Sequence, residues 1–149
     1  LTYLITFIGS EKVAFDIKNV VRVLPMLNIT PLEGTPSYIL GIINFKGEVI
    51  PLLNLPALFG SNDLKINMQS KIVILQLSER KIGIIADEVQ TLIIEDNNKI
   101  KATEIWGKTN NLDSVLKLTD GELILIRDVE NFLTEADSKF VSDNLKNIN

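Results

Sequence analysis

The chain contains no cysteine and no histidine. The first absence excludes disulfides, thiolate metal sites and cysteine nucleophiles. The second removes the commonest general base near neutral pH and the commonest transition-metal ligand. Basic charge is also short. Against 19 Asp and Glu stand 15 Lys and Arg, a net charge of −4, which gives no global field for nucleic acid or anionic lipid. No apolar run reaches the roughly 18 residues that cross a bilayer. No basic, apolar leader pattern opens the chain, which begins at Leu1 rather than Met, as a trimmed chain or a fragment does. The expectation is a cytoplasmic, non-catalytic protein without metal or cofactor, binding no nucleic acid and inserting into no membrane.

What is present is apolar side chain. Of 149 residues, 46% are hydrophobic and 23% charged, which suits one domain, or two small subdomains sharing a core. The chain reads as short strands between turn signals. "LTYLITFI" (1–8), "GSEK" and "VAFDI" (13–17) make a first hairpin. "KNVVRVLP" (18–25) reads as a short helix or helical turn halted by Pro25. The Pro- and Gly-containing "LNITPLEGTP" (27–36) is a loop. "SYILGIIN" (37–44) is a strand in which Gly41 marks a bend or a close backbone approach. "FKGE" turns into the strand "VIPLLNL" (49–55), and "PALFG" (56–60) is a brief helical turn.

Polar "SNDLKINMQS" (61–70) is the best connection between halves. "KIVILQLS" (71–78) and "IGIIAD" (82–87) then form a second hairpin, followed by "EVQTLIIE" (88–95). Asp96 to Asp113 is expected to be a long loop, with Trp106 packed within it. "SVLKLTDGELILIRDV" (114–129) has the alternation and Asp-Gly turn of a third hairpin. Phe132, Leu133, Ala136, Phe140, Val141 and Leu145 recur at helical spacing, giving an amphipathic C-terminal helix over about 128–147. Shifting the first hairpin by 69 residues lays Leu4, Val13, Val20 and Val23 over Val73, Ile82, Val89 and Leu92. Two such halves point to two small β-barrels packed together, because closure hides strand edges. The first should lie mainly in 13–70 and the second mainly in 71–128, with the N-terminal strand able to join the second.

Few residues invite a chemical reading. Asp16 and Asp87 end return strands, and each is expected to cap the turn or helical segment after it. "DNNK" (96–99) and "TNNLD" (109–113) lack the liganding spacing of a calcium loop. Phosphate loops, dinucleotide fingerprints and nucleophile elbows are absent, and no catalytic residue is assigned.

One stretch is more specific. "GIINFKGEVIPLLNL" (41–55) resembles the signature of CheW-like coupling domains at Gly41, Asn44, Gly47, Pro51 and Leu55. "IGIIADEV" (82–89) and "LILIRDVENFL" (123–133) resemble that family's second signature and its closing strand and helix. The resemblance implies an all-β fold, two five-stranded SH3-like barrels on a shared hydrophobic core plus a short C-terminal helix. It also implies a job, that of a chemotaxis adaptor linking the cytoplasmic helical tip of a chemoreceptor to the regulatory domain of a CheA-type histidine kinase. The other implied role is as a regulatory domain of a larger signalling protein. By the resemblance, the kinase-facing surface lies around Arg22, Gly41, Ile42 and Ile43. The receptor helix would lie in a groove between the barrels, at Val20, Lys46, Val89 and Leu92. Lys46 stands where the family usually has arginine, Arg22 where it commonly has glutamate, and Asn54 where it has aspartate. Lysine keeps the charge but loses the planar two-pronged donor.

Overall fold

The structure, a computed structural model, describes residues 1–107 and 112–146, together with the side chains of all these except Asp96, Leu145 and Lys146. Two sheets organise it. The first joins β1 (Thr2–Ile8), β2 (Glu11–Asp16), β8 (Glu88–Ile93), β9 (Lys99–Lys101), β10 (Leu112–Lys117) and β11 (Leu123–Arg127), in the order β8-β1-β2-β11-β10-β9. The second joins β3 (Val20–Pro25), β4 (Ile39–Phe45), β5 (Glu48–Leu53), β6 (Lys71–Gln76) and β7 (Lys81–Ala86), in the order β3-β6-β7-β5-β4. The sheet that takes the N-terminal strand, which answers to the expected second barrel, therefore has six strands among the described residues rather than five. Its extra strand, β9, lies within the segment expected to be a loop.

The central hairpins are apolar on both faces because they face two cores. On β6, Val73 and Leu75 enter a core shared between the sheets, whereas Ile72 and Ile74 fill the interior of the five-stranded barrel. On β1, Leu4 and Ile8 enter the shared core while Tyr3 and Ile5 fill the six-stranded barrel. With side chains alternating across a strand, this removes near-continuous apolar runs from water on both sides. At roughly 25 cal/mol per Å² of apolar surface, such double burial is the main term holding the barrels together.

The sheets do not divide at residue 70. After the first hairpin the chain crosses over, and β3 pairs with β6 instead of staying with β2. After the second hairpin β8 crosses back and pairs with β1. The 69-residue offset relates the pair Val20–Leu75 to Val89–Thr6; with β9 set aside the two strand orders also correspond, although β4 and β5 match β10 and β11 at a larger offset. Each half thus lends a strand to the other.

Most of segment 18–25, Val20–Pro25, is a strand rather than the expected short helix or helical turn. Only Ile17–Asn19 form a 3-10 turn, capped by the Asp16 carboxylate, which accepts from the Lys18 N–H at 3.1 Å. The β-branched run Val20, Val21, Val23 then suits a pleated surface, and β6 supplies the partner. Asp87 does not cap the segment after it. Its carboxylate accepts from the Gly9 N–H at 2.9 Å and ties the second hairpin to the turn of the first. Within 96–107 lie β9 and the one-turn helix α2 (Ala102–Ile105). Trp106 is 86% exposed, not packed. A single turn has one narrow inner face, which Ala102 occupies. Residues 109–111 of the second polar motif lie outside the described residues.

The C-terminal helix α3 spans Val129–Lys146. Val129 and Leu133 insert into the shared core, with Ala136 beside them, and the Phe132 ring lies 4.6 Å from that of Phe59. Val141 is 56% exposed, so the apolar stripe outruns the surface it covers. The short helix α1 (Leu55–Leu58) begins at Asn54, whose side-chain oxygen accepts from the Ala57 N–H at 3.1 Å. Asn54 thus keeps the cap an aspartate would make, without its charge. Among the described residues no helix is long and apolar enough to cross a membrane.

A candidate partner-binding surface along the barrel rims

The β4–β5 hairpin is built from its turn. Lys46 at φ +51° and Gly47 at φ +82° are consecutive left-handed residues, the two-residue geometry that matches strand twist. Glycine adopts this freely. For lysine it costs on the order of 1 kcal/mol. The Gly47 N–H is satisfied by the Asn44 side chain at 3.0 Å. Phe45 carries the Lys46 ammonium 5.4 Å from its ring centroid. Among the described residues Lys46 has no ion-pair partner, whereas neighbouring Glu48 is paired with Lys81 at 2.9 Å. The tip therefore presents one uncompensated cation.

Pro51 sits in an internal strand, not at the edge position expected of a strand proline. Its partner Ile42 directs both backbone groups away from β5, donating to and accepting from Thr30 at 2.9 Å each. The parallel pairing of β5 with β7 starts at Leu52. Pro51 thus falls between two ladders, where a missing N–H breaks no bond.

Gly41 makes that arrangement possible. A Cβ there would overlap the Thr30 carbonyl, 2.9 Å from its carbon and 3.0 Å from Ile29 Cγ2. The expected close backbone approach is thus the seat of the 27–36 loop on β4. Gly41 and Ile43 are consequently buried, Ile43 at 2% exposure within the five-stranded barrel. Neither offers a side chain to a partner; of the three β4 positions expected to face a kinase, only Ile42 is half-buried. Arg22 is exposed on β3, an outer strand of the sheet, without an ion-pair partner among the described residues.

Val20 and Val89 do come together in one respect. They are half-buried, occupy equivalent places on the two exchanged strands, and pack on the rim of the shared core. Leu92 does not join them; it packs against the core of the six-stranded barrel. Val23, not singled out in the sequence, lies with Val20 on the shared core. Ile17 and Val21, each 40% exposed, extend the apolar surface beside Val20. Their run in "IKNVV" is the available signal, and a helical reading of that segment obscures it.

Ionisation at these surfaces is static. Burial, then the hydrogen bond to Asp137, pushes the Tyr38 hydroxyl upward. The neighbouring Tyr3 hydroxyl raises Lys99, although Tyr3 Oη makes no bond of full hydrogen-bonding geometry. The Ser78 hydroxyl and N–H lower Glu130. Each shift moves away from neutrality, so each group keeps its ordinary charge at pH 7. No group of three or more potential metal ligands occurs among the described residues.

The described residues thus form a double barrel with a half-buried apolar rim and, at one hairpin tip, a cation without an ion-pair partner among them. The CheW-like domain family model matches residues 2–137, and the chain belongs to that family. Chemotaxis protein CheW of Thermotoga maritima is 27% identical over 132 residues, covering 89% of this chain and 87% of that protein. Chemotaxis protein CheW of Helicobacter pylori is 28% identical over 127 residues, covering 85% and 77%. The crystal structure of the scaffolding protein TtCheW from Thermoanaerobacter tengcongensis superposes with a TM-score of 0.75 at 27% identity, covering 85% of this chain and 88% of that one.

Proposed function

We propose that this chain is a cytoplasmic, non-enzymatic chemotaxis adaptor. It couples the helical cytoplasmic tip of a chemoreceptor to the regulatory domain of a CheA-type histidine kinase. The observation that carries the reading is that Val20 and Val89, both half-buried and apolar, pack against the same shared core from different sheets. A rim formed by two barrels suits the apolar face of an amphipathic helix, and Ile17 and Val21 lengthen it. Lys46 at the hairpin tip supplies a cation for a carboxylate on a partner. The kinase contact is assigned to exposed Arg22 on β3 and half-buried Ile42 on β4, with buried Gly41 and Ile43 supporting β4 from beneath.

The test is co-purification with the receptor tip and the kinase regulatory domain encoded in the same genome. Val20→Asp should abolish tip capture in a folded protein while sparing kinase capture. Tip capture that survives Val20→Asp removes the groove assignment.

A further inference from the structure

α3 leaves the six-stranded barrel at Asp128 and is fastened to the five-stranded one. The Ser78 N–H donates to Glu130 Oε1 at 2.9 Å, and the Ser78 hydroxyl donates to the same oxygen. The Tyr38 hydroxyl donates to Asp137 Oδ1, while Arg80 Nη2 donates to Asp137 Oδ2 at 3.3 Å. Ser78 and Arg80 form the β6–β7 turn, Tyr38 leads into β4, and Phe59, whose ring meets that of Phe132 at a tilt of 56°, comes directly after α1. Every one of these anchors belongs to the five-stranded side. Between them Val129 and Leu133 enter the same shared core that Val20 and Val89 rim.

Beneath the start of the helix the barrels do not meet in dry packing. A cleft of about 520 Å³ lies there, lined by Asp16, Lys18, Ser78, Arg127 and Asp128 among others. Most of its charges are already committed, Arg127 to Glu11 at 2.7 Å and Lys18 to Asp16 at 3.7 Å. They make a solvated wall more than a ligand set. On this side the barrels are joined by the short Ile17–Asn19 crossover from β2 to β3 and, as the one helix laid across them among the described residues, by α3.

We infer that α3 is a strap that sets the angle between the two barrels and, through the shared core, the spacing of Val20 and Val89. The consequence for binding rests on the groove reading proposed above; the strap itself does not. Apart from the hydroxyl of the buried Tyr38 ring, its polar ties are made at exposed or half-exposed positions, where water can replace them. The helix can therefore loosen without opening either sheet.

The chain's lack of cysteine makes the test direct. Lys117→Cys on β10 and Val49→Cys on β5, both exposed positions, carry spin labels that report one distance between the barrels. Tyr38→Phe, Asp137→Asn and Glu130→Gln are then combined to release the strap, in labelled protein for the distance and in unlabelled protein for binding. The expected result is a shifted or broadened distance distribution with native-like circular dichroism. Receptor-tip affinity should change by at least about fivefold, the lower end of ordinary coupling between sites. A distribution identical to the parent overturns the strap, whatever the partner. A shifted distribution with unchanged tip affinity overturns its control of the groove. Should the triple variant unfold, Tyr38→Phe alone, which removes one oxygen from a buried ring, gives the same reading.

Discussion

Adding one methyl group at Gly41 should be among the more damaging small changes this fold can suffer. The residue lies at φ +153°, where side chains other than glycine are strained, and its α-carbon faces the Thr30 carbonyl. Gly41→Ala leaves the chain two responses. It can keep the close approach and accept a conformation costing about 1–3 kcal/mol, with the overlap on Thr30 added. Alternatively it can let Thr30 withdraw, losing the two 2.9 Å bonds between Thr30 and Ile42 at about 0.5–1.5 kcal/mol each. Either way the loss should be at least about 1–3 kcal/mol. Against a total of about 5–15 kcal/mol for a domain, the variant still folds. Urea denaturation with an unchanged m-value measures the loss, and hydrogen exchange at the Thr30 and Ile42 amides locates it. A loss under about 1 kcal/mol, with those amides still protected, would refute the account of Gly41 as the loop's seat.

Three further outcomes are expected at other sites. Lys46→Glu should shift thermal stability little, since the side chain is exposed and unpaired among the described residues, yet weaken capture of receptor tip or kinase in a pull-down; equal capture removes Lys46 from the surface. Leu133→Ala, at 1% exposure in the shared core, should cost about 2–5 kcal/mol by denaturant titration, and a cost near zero would mean that α3 is not seated there. Glu130 has a folded-state pKa below its ordinary 4.5. Its ties to Ser78 therefore add stability in full above that ordinary value and lose it as pH falls through the lowered one. Glu130→Gln should flatten the acid limb of the stability profile slightly, because the group is exposed; an unaltered acid limb counts against the tie.

Much of this fold can be read from local pattern. The hairpins 1–16, 71–86 and 112–127 declare themselves by alternation and turn residues, and their double apolar faces hint at two cores. The exchange of β3 and β8 cannot be read this way. Val20 pairs with Leu75, and Val89 with Thr6, across sequence distances over which no local rule operates. The same non-locality explains the strand at Val20–Pro25, whose valines suit a turn or a strand until β6 is there to pair with. The site behaves similarly. Val20 and Val89 follow from the family motif, but Leu92, three residues on, lies on the other side of its strand and faces the other core. Gly41 is legible as a close approach; that this buries Ile43 requires the barrel. The ties of Glu130 and Asp137 to residues 52 and 99 positions away have no signature in the sequence.

The central claim is that two barrels lend one valine each to a single helix-binding rim. Its most direct measurement is calorimetric titration of a receptor-tip helical hairpin into the parent protein and into Val20→Asp and Val89→Asp, with folding verified by circular dichroism. The account predicts that each substitution weakens binding by at least about tenfold, roughly 1.4 kcal/mol. Tip affinity that is unchanged in both folded variants would contradict it.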